Sequence, residues 1–219
     1  MTNLNPPDGS ITFSGLPVSD PGFSLRESIN AEELAELPLQ QFDGEIVLVE
    51  TPKMARVAAA YLSGRKIVGF DTETKPSFRK GDNHQVALLQ LSADDRAFLI
   101  RVNMTGIPPE IKRLLSDPNL LKAGAAIRDD VKGLQKISRF TPGGFVELQE
   151  MARSLGIRDF SLKKLCAILL GFRISKSQQL SNWEADELSS RQMVYAATDA
   201  WASLKIYEKL QSIIANAQV

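Results

Sequence analysis

The sequence contains very little of the two residue types that most often carry enzyme chemistry. Of its 219 residues, one is a cysteine, Cys166, and one is a histidine, His84. A single cysteine excludes an internal disulfide, so we expect a cytoplasmic location. A zinc site with paired histidines would need ligands from elsewhere, and a Ser-His-Asp triad would depend on His84 itself. The composition therefore argues against both of these sites.

Several common signatures are also missing. The sequence has no G-x-x-x-x-G-K-[ST] loop, no G-x-G-x-x-G turn and no G-x-S-x-G elbow, so nucleotide-triphosphate, dinucleotide and serine-hydrolase folds lose their main support. Its apolar runs are far shorter than the roughly 20 residues of a membrane span, and no charged segment followed by an apolar one starts at Met1. We therefore expect no membrane partner and no secretion.

The chain is long enough for one sizeable α/β domain. Residues 1–22 are rich in Pro, Gly, Asn, Ser and Asp and predict a loose arm, which leaves 23–219 as a single domain. Segments 66–73, 85–92 and 96–102 predict an antiparallel meander. Alternating strands and helices follow, so we expect a mixed sheet flanked by helices. The other predicted elements are strands at 45–49, 121–127 and 145–148 and helices at 28–37, 52–62, 108–115, 129–137, 162–170 and 191–214.

Two carboxylates follow the apolar strand that ends at Phe70. Side chains alternate along a strand, so Asp71 and Glu73 share one face, with Cα atoms about 7 Å apart. A pair placed in this way is able to hold one hard cation, although a solvated strand end fits the pattern equally well. Asp43-Gly44-Glu45 has the same spacing, but it contains a glycine and precedes its strand, which favours a turn.

Two further positions carry candidate acids. Asp130 follows a second apolar strand at the start of a predicted helix, where an acid also serves as an ordinary cap or dipole partner. Tyr195 and Asp199 are four residues apart on a predicted helix and therefore share a face. They are candidates for one pocket, but a core aromatic beside an exposed acid is an equally simple explanation.

Taken together and in this order, these segments resemble the DEDD-type 3′→5′ exonucleases of the tyrosine subclass. The similarity covers residues from about 45 to 212 and is greatest to Werner-syndrome-type exonuclease domains, with ribonuclease D slightly further away. It rests on these motifs: Phe70-Asp71-Thr72-Glu73, the segment 122–130, Tyr195-Ala-Ala-Thr-Asp199-Ala200, the segments 86–91 and 145–148, and Leu180-Ser181-Asn182-Trp183.

The resemblance implies a ribonuclease-H-like fold and hydrolysis of single-stranded or frayed nucleic acid, DNA or RNA, from its 3′ end by two Mg²⁺ or Mn²⁺ ions. Asp71, Glu73 and Asp199 would hold the ion that activates water. Asp71 would bridge to a second ion, with Asp130 as an indirect ligand, and Tyr195 would orient the attacking water. A catalytically inactive binding or scaffold protein of the same fold and a hydrolase of very short oligonucleotides remain alternatives, and unidentified protein partners are possible.

The charge balance is unusual for a nucleic-acid enzyme. Lys and Arg together number 26, as do Asp and Glu, so the formal net charge is zero, whereas nucleic-acid binders are usually basic. Two divalent ions would cancel the four proposed acids and leave a charge of about +4. The residues predicted to contact nucleic acid are Thr72, Lys75, Arg79, Lys80 and Trp183. A solvated charged loop and a structural tryptophan are the simpler alternatives for the last four.

Overall fold

The computed structural model describes residues 25–79 and 81–217 and contains the predicted mixed sheet. The strands lie in the order β1-β4-β3-β2-β5-β6. The middle three, β2, β3 and β4, form the antiparallel meander, while β1 runs parallel to β4, and β5 and β6 continue parallel to β2. The bounds are β1 Glu45–Val49, β2 Ile67–Thr74, β3 Val86–Ser92, β4 Arg96–Arg101, β5 Leu121–Gly124 and β6 Phe145–Glu147.

Helices cover both faces of this sheet, and local capping explains where several of them begin. Thr51, Ser161 and Ser189 each accept a hydrogen bond from a backbone N–H of the first turn, as N-cap residues do. The helices are α1 Ala31–Glu36, α2 Pro52–Leu62, α3 Val102–Thr105, α4 Pro109–Ser116, α5 Ile127–Ile137, α6 Leu148–Ser154, α7 Leu162–Leu165 with a π-helical turn at Cys166–Leu170, and α8 Ser190–Asn216.

Alternation along the central strands divides the core into two layers. Leu89 and Leu91 of β3 pack with α2, α4 and α5 on one face. Leu88 lies on the opposite face and packs with Tyr195 and Ala196 of α8, whose C-terminal half packs with α6, α7 and the π-helical turn. Because successive side chains of a strand point to opposite faces, Asp71 and its partner on β3 lie on the α8 face.

The junction between β5 and α5 differs from the prediction. The strand predicted over 121–127 ends at Gly124, and α5 starts at Ile127, two residues before the predicted Asp129. The chain turns at Ala126, whose φ of 62° and ψ of 33° are left-handed. Gly124 permits this tight turn because a Cβ there would lie 2.7 Å from the Phe70 carbonyl oxygen. Asp130 therefore lies one turn into the helix instead of at a strand end.

Two predictions concern residues outside the described part of the chain, and a third concerns its helices. The arm predicted over 1–22 and the side chain of Lys80 lie outside the described residues. Among the described residues, none of the helices has both the length and the apolar character needed to cross a membrane.

Candidate active site

The site lies where α8 crosses β2, and a glycine makes that contact close. A Cβ at Gly69 would lie 1.7 Å from the carbonyl oxygen of Ala200, so the helix backbone rests directly on the strand. Asp71 is two residues beyond Gly69 on the same face, and Asp199 precedes Ala200. One carboxylate oxygen from each of Asp71, Glu73 and Asp199 lies within 4.8 Å of the others. The first and third predicted motifs are thus brought together.

The three carboxylates are held in an arrangement that resists ionisation. Burial, followed by the charges of Asp199 and Asp130, raises the pKa of Asp71 well above its ordinary value. Burial and the neighbouring acids, Asp71 first among them, raise the pKa of Glu73 to about 10. Burial raises the pKa of Asp199 to about 7, against a lowering effect of its hydrogen bond with Tyr195 and of the Lys176 charge. Like charges confined in this way favour a bound cation.

Asp130 lies apart from this triad. Its Oδ1 accepts a hydrogen bond of 2.6 Å from the Thr72 hydroxyl, and it does not belong to the group of acids within 4.8 Å of one another. Burial raises its pKa, while the hydrogen bond from Thr72 opposes that effect. Asp130 therefore lies outside the triad, and its hydrogen-bond donor is Thr72, the residue between Asp71 and Glu73 in the sequence.

Tyr195 lies one helical turn before Asp199 and is almost fully buried, with 9% of its surface exposed. Its ring packs against Trp183 at a centroid distance of 6.0 Å. Burial, and then the charge of Asp199, raises the pKa of the phenol. The hydroxyl therefore remains protonated at neutral pH and acts as a hydrogen-bond donor.

These side chains open into a cleft of about 380 Å³ that the sequence only partly predicted. Lys163 and Lys176 line it together with Asp71, Glu73, Asp199 and Tyr195, and neither lysine was among the candidates. Each lies in a polar connecting stretch or a first helical turn where lysine is common, so no local pattern distinguishes them. The cleft therefore combines three acids with two lysines, a distribution of charge that the formal net charge of zero does not reveal.

The loop that follows β2 gives mixed results for the predicted nucleic-acid contacts. Arg79 is exposed, and the Lys75 ammonium lies 3.4 Å from a carboxylate oxygen of Glu184. Phe78 is 77% exposed and was not predicted. Trp183 is fully buried, so no face of its ring is available to a base. The prediction that Trp183 stacks on a base is wrong, and its role is to pack beneath Tyr195.

Glu147, an acid that was not among the predicted site residues, holds the turn before α5 by hydrogen bonds. The Glu147 carboxylate, at the end of β6, accepts hydrogen bonds from the backbone N–H groups of Ala126 at 2.8 Å, Ile127 at 2.9 Å and Gln149 at 3.1 Å. Ala126 also lines the cleft. The sequence places Glu147 at the end of a short predicted strand, but it does not indicate which backbone groups the carboxylate binds.

Comparison with known proteins identifies the family. A family model described as 3′-5′ exonuclease matches residues 46–215. The chain is 32% identical over 193 residues to the bifunctional 3′-5′ exonuclease/ATP-dependent helicase WRN of Mus musculus, which covers 84% of this chain and 14% of that protein. It is 30% identical over 192 residues to a 3′-5′ exonuclease of Arabidopsis thaliana, covering 80% of this chain and 67% of the relative. The chain thus spans only a small part of the mouse relative.

Solved structures share the fold at lower identity. The Nibbler EXO domain of Aedes aegypti superposes with a TM-score of 0.73 at 23% identity and covers 82% of this chain and 94% of that one. Ribonuclease D of Escherichia coli gives a TM-score of 0.71 at 22% identity, with coverage of 78% and 46%. With the carboxylate triad assembled and the family model matching most of the chain, this protein belongs to the DEDD-type 3′-5′ exonuclease family.

Proposed function

We propose that this chain hydrolyses phosphodiester bonds one nucleotide at a time from the 3′ end of single-stranded or frayed nucleic acid, using two divalent cations, Mg²⁺ or Mn²⁺. The observation that carries the proposal is the triad of Asp71, Glu73 and Asp199, whose oxygens lie within 4.8 Å of one another. The triad lies in a cleft that also contains two lysines and a tyrosine.

The donor set fits the proposed ions. Mg²⁺ and Mn²⁺ prefer oxygen ligands, and carboxylates supply them. Asp71, Glu73 and Asp199 would hold the metal, and Asp130, beyond Thr72, would act indirectly. The raised pKa values of Asp71, Glu73 and Asp199 support this assignment, because buried carboxylates, and those of Asp71 and Glu73 beside other acids, gain most from a cation. Bound divalent ions would lower the pKa of water and stabilise negative charge on the phosphate.

The remaining side chains have roles that do not depend on an ion. Because burial keeps the Tyr195 phenol protonated, it would hold the attacking water by a hydrogen bond and would not remove its proton. Lys163 and Lys176 line the cleft and would contact the phosphate next to the cleaved bond. Lys75 and Arg79, with Lys80 beside them in sequence, would contact phosphates further along the strand.

The decisive experiment is digestion of matched DNA and RNA strands carrying a 5′ label, with Mg²⁺, Mn²⁺ or EDTA. We expect a ladder that shortens from the 3′ end with either metal and no cleavage in EDTA. Asp71→Asn is the matched control, since it keeps the shape of the side chain and removes the charge. Full turnover in excess EDTA, or an Asp71→Asn enzyme as fast as the parent, would sink the two-cation mechanism.

Substrate length is tested with the same label. A series of strands from dinucleotides to long oligomers separates a polymer exonuclease from a hydrolase of very short oligonucleotides. We expect cleavage along the whole series, with weak and distributive binding because the formal net charge is zero. Cleavage confined to the shortest strands would contradict a polymer substrate.

A further inference from the structure

The strand next to the triad contains an unusual buried amide. Gln90, at the centre of β3, has no exposed surface. Neither its Oε1 nor its Nε2 has a hydrogen-bond partner among the described residues. Buried side-chain amides are nearly always hydrogen-bonded, because leaving such a group unpaired costs its full desolvation energy. The fully buried, unpaired amide of Gln90 therefore calls for a partner close to it in the fold.

Strand register identifies that partner. Gln90 is paired directly with Asp71 across the antiparallel β2–β3 ladder. Directly opposed residues point to the same face with Cβ atoms about 4.5–5.5 Å apart, a distance that a glutamine side chain can span. On its other side, Gln90 is paired with Leu99, an apolar residue packed with Tyr195 and Ala196 under α8. Asp71 is therefore the polar neighbour that the ladder provides.

Two serine hydroxyls near Gln90 already have partners. The Ser92 hydroxyl, two residues along β3 on the same face, donates to the Ala93 carbonyl at 2.8 Å. The Ser203 hydroxyl of α8 donates to the Asp199 carbonyl at 3.0 Å. Because the Gln90 side chain is sealed from solvent, it contacts neither substrate nor bulk water. The Gln90 amide can therefore bond only to a group within the contact between the sheet and α8.

We propose that Gln90 is a positioning residue, whose side-chain amide orients the Asp71 carboxylate in the metal-bound site by donating a hydrogen bond to it. The inference rests on the cation site proposed above. The Asp71 carboxylate also accepts a hydrogen bond from the Thr72 backbone N–H. A neutral amide supplies a second donor without adding a positive charge that would compete with the metal. Hydrogen bonds to ligating carboxylates fix their orientation and raise metal affinity.

The test compares Gln90→Met with Ser92→Ala. Methionine has nearly the same length and no donor, and Ser92 is a matched buried polar residue that is not opposite the acid. We expect Gln90→Met to weaken Mn²⁺ binding by about 10- to 100-fold in calorimetry. Its denaturant midpoint without metal should be unchanged or higher, since an unpaired amide is removed. Ser92→Ala should show the reverse: a lower midpoint and parental Mn²⁺ affinity.

The outcomes separate this inference from the proposed function. If the parent fails to bind Mn²⁺, the two-cation proposal is wrong. If the parent binds and Gln90→Met binds equally well, Gln90 has no positioning role. If Gln90→Met does not fold, the side-chain amide of Gln90 in the parent is followed by NMR during Mg²⁺ titration. We expect its signals to shift on saturation while those of Gln135, which donates to the Phe140 carbonyl, stay fixed. An unshifted Gln90 amide would overturn the inference.

Discussion

Between β2 and α8, one carboxylate oxygen from each of Asp71, Glu73 and Asp199 lies within 4.8 Å of the others, whereas at the end of β6 the Glu147 carboxylate accepts hydrogen bonds from three backbone N–H groups. Burial raises the pKa values of all three acids in the first group, and neighbouring carboxylates raise those of Asp71 and Glu73 further. The second acid is satisfied by the fold itself. Acids that stabilise a fold and acids that are free to bind a ligand can thus be distinguished by their hydrogen-bond donors, even within one sheet.

The largest effect should come from removing one acid of each kind. We expect Asp71→Asn to lower turnover by on the order of 1000-fold or more, since it removes a metal ligand. Its metal-free form should melt higher than the parent because repulsion is relieved. Glu147→Ala should lower the free energy of unfolding by about 2 to 4 kcal/mol, as three N–H groups lose a charged acceptor.

Thermal melting and a turnover assay at a temperature where every variant is folded measure both effects. The comparison breaks down if Asp71→Asn loses stability to the same extent as Glu147→Ala. In that case Asp71 would be a structural acid like Glu147.

The second effect lies within the triad itself. Tyr195→Phe removes a hydroxyl that would hold water, whereas Asp199→Asn removes a ligand. We expect Tyr195→Phe to reduce turnover about 10- to 1000-fold at nearly parental metal affinity. Asp199→Asn should weaken metal binding directly, so that added Mn²⁺ partly restores its rate. Rates measured against Mn²⁺ concentration distinguish the two, and a Tyr195→Phe enzyme as fast as the parent would make the phenol a core aromatic only.

What the sequence predicted well depends on local physics. Thr51, Ser161 and Ser189 cap the predicted helices because an N-cap hydrogen bond spans a few residues of one segment. The shared face of Asp71 and Glu73 follows from strand alternation alone. The resemblance then supplied the pairing of Asp71 with Asp199, which local patterns did not provide.

What the sequence did not predict depends on long-range contacts. The lysines of the cleft and the acceptor role of Glu147 are each created by packing between distant segments. The early end of β5 results from the close approach of Gly124 to the Phe70 carbonyl. Long-range contacts of this kind leave no periodic pattern in the sequence from which they could be predicted.

The third prediction concerns the pH dependence of the metal-free protein. Asp199 has a folded pKa of about 7 and Glu73 one of about 10, both above the values of about 4 expected in the unfolded chain. Acids with raised folded pKa values stabilise the fold below the unfolded pKa, and that stability is lost as pH rises through the folded pKa. We expect the free energy of unfolding to fall by about 7 kcal/mol between pH 5 and pH 8 if the two acids titrate independently.

Urea denaturation in EDTA across this pH range measures the effect. Glu147→Ala should keep the same slope at lower stability, whereas Asp71→Asn should flatten it, since the triad then carries one charge fewer. Metal-free stability that rises with pH over this range would contradict the repulsive triad.

The smallest effect tests the backbone strain at Ala126, in the turn that Glu147 holds by hydrogen bonds. Ala126 has a left-handed φ of 62°, which costs a residue with a Cβ about 1 to 2 kcal/mol. Glycine removes that strain but gives the unfolded chain about 0.4 to 1 kcal/mol of additional entropy. We therefore expect Ala126→Gly to stabilise the protein by about 0.5 kcal/mol, whereas Ala60→Gly, on the exposed side of α2, should destabilise it by about 1 kcal/mol.

A double-mutant cycle of urea midpoints tests whether Glu147 holds this strained turn. Because a turn without strain needs fewer restraining contacts, Glu147→Ala should lower stability less in the Ala126→Gly background than in the parent. Equal losses for the two glycine variants would mean that the turn carries no strain, and that Glu147 satisfies its backbone donors without holding the chain in an unfavourable conformation.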